Sequence, residues 1–262
     1  MNHITSRIQD FASAKAQSAL LTVLAAGPIP KHVAFIMDGN RRYARSQHKQ
    51  VAQGHGDGFE ALKRILEMCM KLGVRCVSAY AFAIENFKRS PEEVGALMKL
   101  AEEKLVEMAQ HGELLDQYGI RLNIIGKKDL LPPAVQAAVK KAEDMTRHNN
   151  KAILNLCMSY ASRDDITSAV EASVRASLHS GRERALTQDD IDAHIMTSVV
   201  DSPPVDILVR TSGVKRVSDF LTWQCCEDTQ IQFTDCYWPD FGLWDLLPII
   251  LDYQQKVWRQ KG

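Results

Sequence analysis

Residues 32–42, HVAFIMDGNRR, join a run of apolar side chains to an acid, a glycine and two arginines. Val33, Ala34, Phe35, Ile36 and Met37 form an unbroken segment of strand length, the pattern of a strand buried on both faces of a parallel sheet. Asp38 therefore falls at the strand's carboxyl end. Open α/β sheets bind ligands in the crevice beyond those ends, so Asp38, the permissive Gly39 and the cations Arg41 and Arg42 read as a site for a metal and an anionic group. The same residues read equally as a polar turn leading into the next helix, because Asp-Gly is common turn material.

The 262-residue length suits one large α/β domain, and a hydrophobic content of 45% supports a sizeable core. Thirty-two basic residues balance 32 acidic ones, so no global positive field points to nucleic acid and any anion site must be built from local clusters. The six cysteines lie mostly inside apolar runs without a CxxC pair, which reads as reduced, buried thiols and a cytosolic setting. No apolar run approaches the roughly 20 residues that span a bilayer, and the N-terminus lacks the pattern of a secretory signal. Residues 1–27 instead read as an amphipathic helix, with Ile4, Ile8 and Phe11 on one face and Leu20, Leu21, Val23 and Leu24 beyond. Packing on its own domain and contact with a membrane surface both fit that helix.

Gly27-Pro28-Ile29-Pro30 ends the helix and opens residues 28–262. The cluster Gly54-His55-Gly56-Asp57-Gly58 lacks a Walker lysine and a direct strand-to-loop join, so it reads as a flexible entry to a helix rather than a nucleotide loop. Phe59, Leu62, Ile65, Leu66 and Cys69 mark that helix's buried face. Val74 to Ile84 reads as a second strand ending in Glu85, Asn86, Lys88 and Arg89, so two strand ends face one crevice. Ser90-Pro91-Glu92-Glu93 has the form of a capping box, which gives Glu93 a structural role in competition with a chemical one. Val94, Leu97, Met98, Ala101, Leu105 and Met108 then recur at helical spacing, as core packing or as the wall of an apolar tunnel. Strand-like runs at Ile120–Ile125, Ile153–Met158 and Val205–Val209 alternate with helices near 132–147 and 163–180, and predict a mainly parallel sheet with helices on both faces. The last strand runs into Arg210, Thr211, Ser212, Gly213, Lys215, Arg216 and Ser218. Guanidinium forks and hydroxyls around a glycine turn suit a diphosphate, and a solvated basic loop would have the same composition.

Five stretches, HVAFIMDGNRRYAR, GHGDGF, YAFAIENFKRSPEEV, RTSGVKRVSDFLTWQ and FTDCYWPDF, together resemble the cis-prenyltransferases, the family of undecaprenyl and dehydrodolichyl diphosphate synthases. RTSGV and FKRS bring the chain nearest the eukaryotic dolichol-type catalytic subunits, fungal ones among them. The resemblance implies a single α/β domain with an apolar product tunnel, in which farnesyl diphosphate is extended by isopentenyl diphosphate with a Z double bond at each addition. It matches Asp38 to a Mg2+–diphosphate aspartate. Gly39, Asn40, Arg41 and Arg42 match the loop holding the allylic diphosphate, and His55 a histidine near the leaving group. Asn86, Phe87 and Arg89 match positions that orient the homoallylic substrate and its proton loss. Glu93 also matches a family position, and Arg210, Arg216 and Ser218 match the isopentenyl diphosphate clamp.

Three positions depart from bacterial members: Ala83 replaces a serine, Val51 an arginine, and Thr229 a metal-associated glutamate. The tail Trp258-Arg259-Gln260-Lys261-Gly262 lacks the arginine-x-glycine spacing with which self-sufficient homodimers complete each other's site. The resemblance thus implies a heteromer whose membrane-anchored partner subunit supplies that tail, with peripheral contact at the cytosolic face of the endoplasmic reticulum. The competing reading is a non-catalytic partner subunit of the same fold, which would lack much of the aspartate loop and arginine clamp present here.

Overall fold

The computed structural model describes residues 16–110, 113–180 and 184–261. In chain order these form a helix over 16–25 (α1), β1 (His32–Ile36), α2 (Asn40–Ser46), α3 (Val51–Leu72), β2 (Cys76–Ala83), a 3-10 turn (Ile84–Lys88) and α4 (Pro91–Ala109). They continue with α5 (Leu114–Gln117), β3 (Ile120–Ile125), α6 (Pro133–Thr146), β4 (Ala152–Tyr160), α7 (Ser162–Ser180), α8 (Gln188–Asp192) and α9 (Met196–Val199). The last elements are β5 (Ile207–Arg210), β6 (Gln230–Phe233) and α10 (Leu243–Lys261).

The six strands form one parallel sheet in the order β3-β4-β2-β1-β5-β6. β1 is buried at all five positions, as its unbroken apolar run requires. It is also where the winding reverses, because β2 follows it on one side and β5 joins it on the other. Such a switch point opens a crevice beyond the carboxyl ends, between the segments that leave β1 and β5.

Alternate residues of each strand feed two cores. Val33, Phe35, Val77, Leu122 and Leu154 join the larger one with α3, α4, α6 and α10, where Phe35, Trp238 and Phe241 pack at centroid distances of 5.6–6.1 Å. Ala34, Ile36, Cys157, Tyr160, Phe220 and Leu221 form the smaller core on the opposite face. Leu21 and Leu24 of α1 are buried in the larger core, and Gln254 of α10 donates to Leu24 O at 2.8 Å, so this part of the N-terminal segment packs on the domain. Ile4, Ile8 and Phe11 lie outside the described residues. Cys69, Cys76 and Cys157 are buried free thiols, whereas Cys225 and Cys236 are half-buried and Cys226 is exposed.

The glycine cluster is not a flexible entry. Helix α3 begins at Val51 and passes through Gly54, Gly56 and Gly58, and α2 lies too closely against Gly54 and Gly58 for side chains at those two positions. A Cβ on Gly54 would stand 2.6 Å from the backbone O of Asn40, and one on Gly58 would stand 2.4 Å from Asn40 Oδ1. The sequence pattern also leaves out α2, α10 and the edge strand β6. Among these, β6 is four residues long and carries Gln230 and Gln232, so it has no apolar signature.

Candidate active site

The end of β1 is laced to the end of β5. Asp38 N–H donates to Thr211 Oγ1 at 3.0 Å, and that hydroxyl donates back to Asp38 O at 2.6 Å. Gly39 makes the turn that follows, with φ 110°; a Cβ there would come within 2.8 Å of the Tyr237 ring and 3.2 Å of its backbone. The Asp38 carboxylate then faces Arg210, whose Nη2 donates to Oδ2 at 2.9 Å, with Arg42 Nη2 at 3.3 Å from Oδ1. Burial acts to raise the Asp38 carboxyl, but the Arg210 and Ser212 hydrogen bonds and the two guanidinium charges outweigh it and hold the group below its ordinary range.

Arg210 is 4% exposed and works as a fork. Its Nη1 donates to Arg216 O at 2.5 Å and Ser218 Oγ at 2.6 Å, while Nη2 holds Asp38; its Nε is buried without a hydrogen-bond partner. Arg216 Nε also donates to Ser218 Oγ at 3.2 Å. A second charged group lies across the crevice. Glu93, in the first turn of α4, accepts from Arg89 Nη1 at 2.8 Å and lies 3.6 Å from both Arg41 Nη1 and His55 Nε2. Ser90 does cap α4 through the Glu93 N–H at 3.3 Å, but the Glu93 carboxylate turns to Arg89, Arg41 and His55 instead of closing the capping box. Burial and then the Arg89 charge push the His55 pKa down despite Glu93, so the imidazole stands neutral among the guanidiniums. Asn86 Oδ1 accepts from Ala83 N–H at 3.1 Å, tying the 3-10 turn to the end of β2.

Two adjoining spaces result. A polar cleft of about 1410 Å³, open to solvent, is lined by Asp38, Asn40, Arg41, His55, Asn86, Arg89, Arg210, Arg216 and Ser218 among others. An apolar cavity lies between α3, α4 and the sheet, lined by Phe59, Leu62, Phe82, Leu97, Met98, Ala101, Leu105, Leu156 and Met158. Met37, Asn40, His55, Ala81 and Leu97 line both, so the cavity opens off the charged cleft. A charged head can be held by arginines while its apolar tail is kept out of water.

The comparisons with known proteins agree with that geometry. The family model described as "Putative undecaprenyl diphosphate synthase" matches residues 36–261. A dehydrodolichyl diphosphate synthase complex subunit of Schizosaccharomyces pombe is 45% identical over 241 residues, 91% of this chain and 90% of the relative. This chain belongs to the cis-prenyltransferase family. A human dehydrodolichyl diphosphate synthase complex subunit is 40% identical over 237 residues, covering 89% of this chain and 70% of that one. Lavandulyl diphosphate synthase from Lavandula x intermedia, solved in complex with dimethylallyl diphosphate, superposes with a TM-score of 0.77 at 32% identity, over 86% of this chain and 95% of its own. The fold and the transferase class expected from the motifs therefore stand.

Within this cis-prenyltransferase, nine of the thirteen site residues expected from sequence line the cleft, and four sit one layer back. Arg42 braces Ser212 (Nη2 to Oγ 2.5 Å) and lies 5.6 Å from the Tyr237 ring centroid; Gly39 makes the turn, and Glu93 fixes the cations. Phe87 packs edge-on against Phe82 at 4.8 Å, on the core side. Sequence reasoning missed Tyr80, Tyr160, Arg163 and Asp219, which complete the lining. The aromatic positions of β2 and β4 gave a signal only for burial; Asp219 gave none, as one acid in a polar loop. Of the tunnel stripe, Leu97, Met98, Ala101 and Leu105 face the cavity, whereas Met108 is buried in the core. Thr229 Oγ1 donates to Val205 O at 2.7 Å, a structural bond in place of a carboxylate.

Proposed function

We propose that this cis-prenyltransferase extends farnesyl diphosphate with successive isopentenyl diphosphate units, forming Z double bonds and a long-chain dehydrodolichyl diphosphate for dolichol synthesis and protein glycosylation. The observation that carries the reading is the junction of a two-arginine-cluster cleft with an apolar cavity through Met37, Asn40, His55, Ala81 and Leu97. Asn40 and Arg41, at the N-terminus of α2, take the allylic diphosphate; Arg210, Arg216 and Ser218 take the isopentenyl diphosphate through charge-assisted hydrogen bonds.

In each cycle the allylic carbon–oxygen bond breaks and the diphosphate leaves with the bonding pair. The π electrons of isopentenyl diphosphate then form the new carbon–carbon bond, and loss of a proton restores the double bond. The cation Arg41 stabilises the charge gathering on the leaving group, while the apolar wall of Leu97, Ala101 and Phe82 excludes water from the allylic cation and receives the lengthening chain. His55, neutral, and Asn86 stand at the cleft as hydrogen-bonding partners for the departing group and the proton.

Asp38 is the residue that would hold Mg2+. Among the described residues no group of three or more His, Cys, Asp or Glu side chains is placed to bind a metal. One carboxylate at a diphosphate site fits Mg2+, which keeps several waters and takes its remaining ligands from substrate phosphates. When bound, the ion neutralises diphosphate oxygens as the carbon–oxygen bond lengthens.

The two complex-subunit relatives support a heteromer, in which a membrane-anchored partner contributes the arginine-x-glycine tail at the cytosolic face of the endoplasmic reticulum. No helix among the described residues is long and apolar enough to cross a membrane. The test incubates the purified chain, alone and with the candidate partner subunit, with farnesyl diphosphate, labelled isopentenyl diphosphate and Mg2+, and resolves products by length. Polyprenyl diphosphate only in the presence of the partner is expected. Full activity alone would remove the heteromer, and no product in either condition would overturn the catalytic reading.

A further inference from the structure

The loop that presents Arg216 and Ser218 to the cleft does not hold its own shape. Ser218, Asp219 and Leu221 all take left-handed backbone conformations, with φ of 50°, 59° and 44°. Side chains other than glycine rarely adopt that region, so three within four residues must be imposed by what surrounds them.

The constraint comes from α7. Ser162 N–H donates to Asp219 O at 2.7 Å and Arg163 N–H to Asp219 Oδ1 at 3.0 Å, while Ser162 Oγ accepts from Thr222 N–H at 2.9 Å. Asp219 thus caps the helix from a distant loop, and its carboxylate sits against the positive end of the helix dipole. Arg163 Nε also meets Asp219 Oδ2 at 3.0 Å, but that guanidinium is 82% exposed, and solvent screens the ion pair. Beneath the loop, Phe220 is fully buried and stacks on Tyr80 at 4.4 Å with an interplanar angle of 13°. The backbone cap therefore fixes one side of the loop and the aromatic stack fixes its floor.

We infer that Asp219 is a positioning residue for the isopentenyl diphosphate clamp, acting through Ser218 and Arg216 by anchoring their loop to the N-terminus of α7. The inference rests on the proposed assignment of Arg216 and Ser218 to that substrate. It predicts a selective effect. Disturbing the anchor weakens the isopentenyl diphosphate site and spares the allylic site, which is built on α2 and α3.

The experiment is steady-state kinetics on the full chain, with its partner subunit present, for Asp219→Ala, Asp219→Gly, Asp219→Asn and Arg216→Ala, with thermal midpoints and folded fractions measured alongside. Asp219→Ala should raise KM for isopentenyl diphosphate about tenfold while kcat and KM for farnesyl diphosphate change less than about twofold. Asp219→Asn keeps an acceptor oxygen and tolerates the left-handed backbone, and should restore KM; Asp219→Gly relieves the backbone but cannot cap, and should behave as Asp219→Ala. Equal rises in both KM values, or a wild-type KM in Asp219→Gly, would overturn the inference. If Arg216→Ala raises KM for isopentenyl diphosphate and Asp219→Ala does not, the anchoring role alone falls. If Arg216→Ala leaves that KM unchanged, the substrate assignment itself falls, and the inference with it.

Discussion

Asp38 Oδ2 and Arg210 Nη2 meet at 2.9 Å although 172 positions separate them in the chain. They meet because β1 and β5 are hydrogen-bonded neighbours, with Ile36 paired to Arg210, so both residues leave the sheet at the same height. The fork of Arg210 then ties the acid of one strand end to the Arg216–Ser218 segment of the other. Removing either partner should leave the other charge partly buried and uncompensated.

Asp38→Ala should abolish polyprenyl product in the labelled incorporation assay while the circular dichroism spectrum is kept. Arg210→Lys should lower kcat/KM by about 100-fold or more, since one ammonium cannot reproduce three bonds of a planar fork. Near-wild-type turnover in Arg210→Lys would show that charge alone suffices there.

The glycines of α3 should divide by what lies against them. Gly54→Ala must displace backbone of α2 and should cost about 2 kcal/mol, with loss of activity because α2 carries Arg41. Nothing lies within 4 Å of a Cβ on Gly56, so Gly56→Ala should stabilise the helix by up to about 1 kcal/mol. Urea midpoints for the two variants check both signs.

His32 sets a pH limit on stability. It is fully buried, with Nδ1 2.7 Å from Pro203 O and Nε2 2.8 Å from Ser78 Oγ. The carbonyl can only accept, so Nδ1 carries the proton and Nε2 accepts from Ser78. Burial lowers the pKa from 6.5 to about 4. The unfolded chain therefore binds the extra proton first: stability is full above pH 6.5 and falls by roughly 3 kcal/mol as pH drops toward 4. His32→Gln, which does not titrate, should remove that part of the slope; denaturation curves between pH 7 and 4.5 measure it.

Ala101 lines the apolar cavity between α3 and α4. Ala101→Phe should fill space that the growing chain needs and shift the product distribution to shorter polyprenyl diphosphates, with the first condensation slowed less than about threefold. Chromatography of the dephosphorylated products would reveal an unchanged length if the cavity is not the product path.

Much of this was legible because the signals are local. The apolar run of β1, the helical stripe holding Leu97, Ala101 and Leu105, and the strand Ile120–Ile125 are periodic patterns that one segment carries by itself. The RTSGVKR turn and the DGNRR turn admitted anion chemistry through side-chain type, beside their readings as a solvated basic loop and a polar turn. Other features carried no such mark. Gly54 and Gly58 had the composition of a loop until α2 was seen lying against them, and Glu93 had the spacing of a cap until its carboxylate was found among Arg41, Arg89 and His55. Asp219 had no pattern at all, since its partner is the start of a helix 56 residues away.

The amino-acid sequence by itself determined the types of the periodic strands and helices, though not α2, α10 or β6, together with the burial of β1 and the presence of acids and arginines at the strand ends. Those follow from side-chain chemistry and from periods of two and 3.6 residues, which need no knowledge of neighbours. Only the tertiary structure decided that β5 lies beside β1, that the charged cleft opens into the apolar cavity, and that α7 anchors the loop of Arg216 and Ser218. Strand order and loop anchoring depend on contacts between distant segments, and the free energy of such contacts is not written in any one of the segments that make them.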